Sequence, residues 1–303
     1  MKIKTIIFGA GASAKSYMSN CSESREFIAI IDNDKQKEGM LIEGILVSSP
    51  ALISQIEFDE IVITTQWATE VEHQLLNDLN IPRDKVTVPP KGHLKKQTPP
   101  FLHPPTRALG RHIISSLSVL ADQHNVPLFV DFGTLLGIIR DGDIIEWDDD
   151  IDFSVPDGYF SELIEVIDEF VAANSTKLTW SVEKTCDKNA RGMGVVLVFV
   201  DPENCLSQFK TTFSVREFTS GNSVHLPSLG MWYSPEEHFL KVAPMEWNGV
   251  TIFTPFNPKA YLTFVYGEDW PVPKKNISFT DYANLQTVEF NSFKEAGLNV
   301  EQS

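Results

Sequence analysis

The first ninety residues alternate short apolar runs with stretches in which apolar residues recur at helical spacing. Short continuous apolar runs are typical of buried parallel strands, and the intervening stretches are typical of helices. The predicted strands are Ile3–Phe8, Phe27–Ile31, Ile61–Thr65 and Val86–Val88. The first predicted helix follows Ala14 and ends at about Asn20, and two others lie near 51–56 and 69–80. Strands that alternate with helices predict a parallel sheet with right-handed crossovers, so residues 1–90 are expected to form a small Rossmann-like domain.

The pattern changes after residue 90. Residues 91–105 are rich in proline and are predicted to be a semi-rigid linker. Thr106 then starts an amphipathic helix that runs to about Asn125. Residues 106–303 are expected to form a second domain, in which helices and strands build a mixed sheet. Its further predicted elements are a strand at 127–130, a strand ending at Val155, a helix at 157–173, strands at 177–184 and 193–200, an antiparallel region at 209–256 and a helix at 258–266.

The strand that ends at Val155 is preceded and interleaved by acidic residues. Residues two apart on a strand share a face, so Asp148, Asp150 and Asp152 are expected on one face and Ile151 and Phe153 on the other. Carboxylates this close repel one another unless a cation neutralises them, and hard oxygen ligands suit Mg²⁺ or Mn²⁺. The spacing therefore predicts a metal site, with a solvated acidic turn as the alternative.

Upstream of the acids, Gly133 and Thr134 follow an apolar run and open a short helix. A strand, a small-residue turn and a helix together present backbone N–H groups to phosphate. Arg140 lies just beyond, where its guanidinium could contact phosphate or pair with the aspartates.

These residues resemble the signature of the LicD and fukutin-type phosphotransferases, which belong to the nucleotidyltransferase fold superfamily. The match covers Gly133–Gly137, Arg140 and Trp147–Asp152, and a second family motif is matched by Tyr266, Gly267 and Trp270. The resemblance spans roughly residues 106–275. Candidate substrate-binding residues are Gly133, Thr134, Arg140, Trp147, Tyr266, Gly267 and Trp270.

The resemblance implies transfer of a phosphate-bearing alcohol, such as phosphocholine, ribitol phosphate or glycerol phosphate, from a CDP-linked donor. The acceptor would be a hydroxyl of a bacterial surface glycan or of its lipid-linked precursor. Asp148, Asp150 and Asp152 would be both catalytic residues and ligands of Mg²⁺ or Mn²⁺. In this fold a further carboxylate often comes from a neighbouring strand, so Asp201 is a candidate, although Pro202 follows it and the family's acidic pattern is poorly matched there. The alternative is a strand-ending turn of the Asp-Pro kind.

In the first domain, Gly9 and Gly11 form a G-x-G-x-x-A turn after the first strand, and Asp32 ends the second strand. This is close to the dinucleotide-binding fingerprint, in which such an acid contacts ribose. The segment also resembles N-terminal nucleotide-sugar or CoA-binding modules of bacterial sugar-modifying enzymes. Two interpretations stay open: these residues bind a cofactor or sugar nucleotide, or the glycines only permit a tight turn.

Composition limits the classes of partner that the protein is expected to bind. The net charge of −16 argues against binding to nucleic acid or to an anionic membrane surface. No apolar run reaches the length of a membrane span, and Cys21, Cys186 and Cys205 lack metal-ligand spacing. A cytoplasmic protein with reduced thiols is expected.

Three rival functions remain. A nucleotidyltransferase would attack an NTP α-phosphate and release pyrophosphate instead of CMP. A non-catalytic sugar-nucleotide-binding protein would bind no metal. An NAD-dependent oxidoreductase would rest on Gly9 and Gly11 alone. The sequence leaves undetermined the alcohol, the acceptor sugar, the ligand of the first domain and the oligomeric state.

Overall fold

A computed structural model describes residues 2–95, 98–274, 278, 282, 284–286 and 299–302. The chain divides into two compact units. The first unit comprises Met1–Thr98 with Lys274–Tyr282, and the second comprises Pro99–Pro273 with Ala283–Ser303.

The first unit contains a six-stranded sheet in the order β3-β4-β2-β1-β5-β6. Every strand pair in it is parallel except β3 with β4. Its elements are β1 (Ile3–Phe8), α1 (Ala12–Cys21), β2 (Arg25–Ile31), β3 (Leu41–Ile42), β4 (Ile45–Ser48), β5 (Glu60–Ile63), α2 (Ala68–His73), β6 (Val86–Thr87) and α3 (Lys91–Leu94).

Both faces of this sheet are covered. Ile6, Phe8 and Ile61 pack in one apolar cluster, and Ile7 and Ile30 pack in the other. The side chains of alternate β1 residues therefore lie on opposite faces of the sheet. Burial on both faces explains why these strands are continuous apolar runs in the sequence.

The second unit contains a ten-stranded mixed sheet in the order β14-β15-β7-β8-β11-β10-β9-β16, with β12 pairing with β11 and β13 pairing with β12. Its elements are α4 (Pro104–Gln123), β7 (Phe129–Val130), α5 (Phe132–Asp141), β8 (Asp150–Pro156), α6 (Phe160–Asn174), β9 (Thr179–Cys186), β10 (Gly192–Val200), β11 (Lys210–Thr219), β12 (Asn222–His225), β13 (Tyr233–Pro235), β14 (Val242–Trp247), β15 (Val250–Pro255), α7 (Pro258–Tyr266) and β16 (Asn299–Gln302).

The predicted fold class is confirmed: a parallel-rich α/β sheet is joined to a mixed-sheet unit. The expected antiparallel region at 209–256 is confirmed for the strands within it, because β11 with β12, β12 with β13, and β14 with β15 all pair antiparallel. The sequence did not predict that β11 and β15 also run parallel to β8 and β7, which lie outside this region. A single sequence shows the alternation within a strand but not which strand lies beside it.

Helices also begin earlier than expected. A one-turn helix, α3, lies within the predicted linker, and α4 starts at Pro104 instead of Thr106. Proline is tolerated in the first turn of a helix because the N–H that it lacks would have no intrahelical partner there.

Among the described residues, none of the helices combines the length and the apolarity that a membrane crossing needs.

Candidate active site

The site begins at the sharp turn from β7 into α5. Asp131 caps the helix: its Oδ1 accepts the Phe132 N–H at 2.7 Å, and its carbonyl accepts the Leu135 N–H at 3.0 Å. Phe132 has a φ of +41°, which is uncommon for a residue with a side chain. Backbone of this kind persists only where surrounding contacts enforce it, and it clusters at functional sites.

Two hydrogen bonds hold the start of α5 against the acidic strand β8. The Asp152 N–H donates to Thr134 Oγ1 at 2.9 Å, and the Asp131 N–H donates to the Asp152 carbonyl at 3.0 Å. Thr134 is only 2% exposed. Its hydroxyl oxygen therefore fixes the register between helix and strand, whatever else the hydroxyl contacts.

The two glycines of the Gly-Thr-Leu-Leu-Gly segment allow close packing. A Cβ on Gly133 would overlap the Asp148 carboxylate, and a Cβ on Gly137 would lie 2.6 Å from the Asp143 carbonyl oxygen. The chain that leads into β8 thus lies directly on α5. Glycine at these positions brings an aspartate against the first turn of the helix.

Asp148, Asp149 and Asp150 form a compact aspartate cluster. Each offers a carboxylate oxygen, and the three oxygens lie within 4.8 Å of one another in a half-buried position. β8 begins only at Asp150, and the Asp148 N–H closes a turn onto the Ile145 carbonyl at 3.1 Å. Because Asp148 and Asp149 precede the strand, strand alternation does not separate their side chains. Asp149 therefore belongs to the cluster, although the sequence predicted only its neighbours Asp148 and Asp150 as ligands.

Asp152 lies further along β8 and outside that cluster. Its Oδ1 accepts a hydrogen bond from the Thr212 hydroxyl of β11 at 2.7 Å. The structure therefore brings together two of the three predicted ligands and places the third beside a hydroxyl on the neighbouring strand.

Arg140 lies in the last turn of α5, with its side chain only 7% exposed. Its guanidinium donates to both Asp141 oxygens, at 2.9 and 2.7 Å, and lies 5.8 Å from the centre of the Trp147 ring. The arginine therefore pairs with its sequence neighbour and packs on the tryptophan that precedes the cluster. Contact of either residue with substrate stays a prediction.

A buried ion pair lies behind this turn and was missed by the sequence analysis. Asp131 and Arg216 are 0% and 1% exposed, and Arg216 donates from Nη2 to Asp131 Oδ2 at 2.6 Å. Ser154 and Tyr261 also donate to the Asp131 carboxylate. Burial alone would raise the pKa of Asp131, but the charge of Arg216 and these hydrogen bonds outweigh it, so its pKa lies below the ordinary value.

His225 adjoins this pair as a neutral, structural residue. Its Nδ1 accepts the Ser228 N–H at 3.2 Å, and its Nε2 lies 2.8 Å from Ser214 Oγ. Burial, and then the charge of Arg216, lower the pKa of His225 to about 3. A histidine held neutral in this way fits the structural role that is usual for buried histidines.

Comparison with known families decides the identity of the second unit. A family model described as LicD/FKTN/FKRP, nucleotidyltransferase domain, matches residues 125–294, which is more than half of the chain. The chain belongs to the LicD family. Membership indicates a transferase that moves a phosphate-bearing group onto a glycan.

The second LicD-family motif lies at the end of α7. Gly267 ends the helix with a φ of +86°, and its N–H donates to the Thr263 carbonyl at 2.9 Å. Trp270 folds back and donates from Nε1 to Thr263 Oγ1 at 3.1 Å, while Tyr266 is half-buried. These contacts show how the motif shapes the chain after α7, and contact of the motif with substrate stays a prediction.

Asp201 has a structural explanation in this LicD-family chain. Its carboxylate accepts the backbone N–H groups of Glu203, Cys205 and Leu206, at 3.0, 2.7 and 2.9 Å. The residue therefore caps the turn between β10 and β11, as the Asp-Pro interpretation predicts.

The first unit is matched over residues 1–87 by a family model described as C2185-like, N-terminal. Asp32 accepts the Ala10 N–H at 2.7 Å and pairs with Lys37 at 3.0 Å, both through Oδ2. The acid therefore braces the glycine turn. Gly9 has a φ of +113°, so the turn needs a glycine there whether or not a ligand binds. Gly11 precedes α1 in an extended conformation, and a Cβ there would lie in open space, so the turn itself does not require a glycine at this position.

Solved structures resemble the LicD-family chain only weakly. The antibiotic-resistance factor ANT(2'')-Ia is 15% identical over 56% of this chain and 79% of its own, with a TM-score of 0.31. UDP-D-quinovosamine 4-dehydrogenase from Vibrio fischeri is 23% identical over 27% of this chain and 75% of its own, with a TM-score of 0.23. Comparison with curated proteins gave no match.

Proposed function

We propose that this LicD-family chain transfers a phospho-alcohol group from a CDP-linked donor to a hydroxyl of a bacterial surface glycan or of its precursor, in the cytoplasm. The transferred group is of the phosphocholine, ribitol phosphate or glycerol phosphate type. The observation that supports this most directly is the aspartate cluster, which lies against the first turn of α5.

The donor set of the cluster fits a divalent metal. Three carboxylate oxygens within 4.8 Å of one another repel strongly in a half-buried position, and carboxylates are the ligands that Mg²⁺ and Mn²⁺ prefer. Asp148, Asp149 and Asp150 would hold the ion. When bound, it would neutralise charge on the phosphate oxygens as CMP departs.

The start of α5 is arranged to meet the same phosphate. The Asp148 carboxylate lies against Gly133, so a group bound at the cluster also faces the N-terminal end of this ten-residue helix. The positive end of the helix dipole and the backbone N–H groups there favour phosphate. The hydrogen bonds from the Phe132 N–H to the Asp131 carboxylate and from the Asp152 N–H to Thr134 Oγ1 fix the helix end, so little reorganisation is needed when the donor binds.

An aspartate of the site also supplies the base that the reaction needs. The acceptor hydroxyl must lose a proton as it attacks phosphorus, and a carboxylate within hydrogen-bond reach can accept it. No side-chain nucleophile is required, because phosphoryl transfer depends mainly on positioning and on charge stabilisation.

The experiment is to replace Asp150 by Asn and measure CMP release from CDP-choline, CDP-ribitol and CDP-glycerol with Mg²⁺ or EDTA. Metal-assisted charge stabilisation lowers the activation free energy by several kcal/mol. Without it, the rate of CMP release should fall by about a hundredfold or more. Asp168→Asn, at an exposed position on α6, is the matched control and should retain full activity. Full activity of Asp150→Asn would refute the assignment, and release of pyrophosphate from an NTP would favour the nucleotidyltransferase rival.

A further inference from the structure

β11 lies beside the acidic strand β8 and runs parallel to it. Lys210 pairs with Asp150 in the register, and Thr212 pairs with Asp152. The Thr212 hydroxyl donates to the Asp152 carboxylate at 2.7 Å, which shows that this pair points to one face. Since side chains two residues apart on a strand share a face, Lys210 extends from the same face as Asp150, about 4.8 Å away across the sheet.

This face of β11 is basic and hydroxylic. It presents Lys210, Thr212, Ser214 and Arg216, whereas the acidic residue of the strand, Glu217, alternates to the other face. The neighbouring strand therefore brings a cation to the aspartate cluster instead of a further carboxylate. Asp201, the other candidate for that acid, is engaged by three backbone N–H groups.

Lys210 differs from the other basic groups near the site. Arg216 is buried in its pair with Asp131, and Arg140 is paired with both oxygens of Asp141. Lys210 is exposed, and none of the residues that the structure describes forms an ion pair with its ammonium. Its charge is therefore available to a ligand that enters beside Asp150.

We propose that Lys210 binds the diphosphate of the donor next to the aspartate cluster; this inference rests on the proposed function. A lysine ammonium is a compact cation that binds phosphate as a point charge. The aspartates by themselves repel the donor, and Lys210 supplies a fixed positive charge on the adjacent strand. The assigned role is donor binding, not proton transfer.

The test compares Lys210→Met and Lys210→Arg with the wild-type chain, and Lys188→Met provides the control. Lys188 is exposed in the turn between β9 and β10. Replacing it changes the net charge by the same amount as replacing Lys210, but at a position away from the face that carries Asp150 and Lys210. We measure KM and kcat for CMP release, and independently the binding of Mg²⁺-pyrophosphate by calorimetry. A lost hydrogen bond to a charged group predicts a KM for donor about tenfold to a hundredfold higher in Lys210→Met and a parallel loss of pyrophosphate affinity. Lys210→Arg should recover part of both.

The outcomes separate this inference from the proposed function. If the wild-type chain releases CMP and Lys210→Met matches Lys188→Met in KM and in pyrophosphate binding, the role of Lys210 is refuted and the transferase stands. If the wild-type chain releases no CMP from any donor, the transferase proposal fails. In that case weakened pyrophosphate binding by Lys210→Met supports the role of Lys210, and unchanged or absent binding overturns it.

Discussion

Replacing Arg216 by Met should destabilise the second unit, because it leaves the Asp131 carboxylate buried without its counter-charge. Asp131 and Arg216 are 0% and 1% exposed, and Arg216 donates to Asp131 Oδ2 from both Nε and Nη2, at 3.2 and 2.6 Å. Breaking a buried pair by removing one partner costs about 3–5 kcal/mol. The upper half of that range is expected, since the guanidinium also lies 4.2 Å from the centre of the Phe239 ring.

The pH dependence of stability should change sign in the same variant. In the wild-type chain the pKa of Asp131 is lowered, so its contribution to stability is present above the unfolded pKa and is lost as the pH falls through the folded pKa. Without Arg216, burial dominates and raises the folded pKa above the unfolded pKa. The variant should therefore regain part of its stability as the pH falls, while the wild-type chain loses stability.

Urea unfolding followed by tryptophan fluorescence measures both effects, because five of the six tryptophans lie in the second unit. Arg191→Met is the matched control: Arg191, which precedes β10, pairs with Asp157 and with Glu217 of β11, but its side chain is 36% exposed. An exposed pair of this kind contributes about 0–1 kcal/mol. The reasoning would be refuted if Arg216→Met lost no more unfolding free energy than Arg191→Met. It would also be refuted if the unfolding free energies of Arg216→Met and wild type changed in parallel with pH.

An acidic cluster could be predicted from the sequence because its members are neighbours along the chain. Alternation within one strand groups Asp148 and Asp150 with Asp152, whereas the structure groups them with Asp149 and leaves Asp152 outside the cluster. Alternation would put Asp149 on the apolar face, but alternation applies only once a strand has begun, and β8 starts at Asp150. Backbone turning before a strand is set by packing, here of the preceding loop on Gly133 and Gly137.

The buried ion pair could not be predicted from the sequence. Asp131 and Arg216 are separated by 85 residues and meet through a strand pairing that a single sequence does not specify. A signal was nevertheless present. Lys210, Thr212, Ser214 and Arg216 form a polar stripe with a period of two along β11, with Phe213 and Val215 between them. A strand in which polar residues alternate with core residues indicates a site or a buried network on its polar side.

The glycines of α5 give two contrasting predictions. Gly133→Ala displaces the Asp148 carboxylate, the mobile end of a side chain, so Mg²⁺ affinity measured by calorimetry should fall about tenfold with little change in Tm, and unchanged affinity would contradict this. Gly137→Ala meets the Asp143 backbone carbonyl instead, so it should lower stability by about 1–3 kcal/mol in urea unfolding, and a wild-type value would contradict this. His225→Asn tests the buried histidine: because its pKa is lowered from 6.5 to about 3, the unfolded chain binds a proton between these values and the folded chain does not. Stability from this residue is therefore present above pH 6.5 and falls as the pH decreases, by about 2 kcal/mol at pH 5. The variant should lose less stability than wild type between pH 7 and pH 5, and identical losses would show that His225 is protonated in the folded chain.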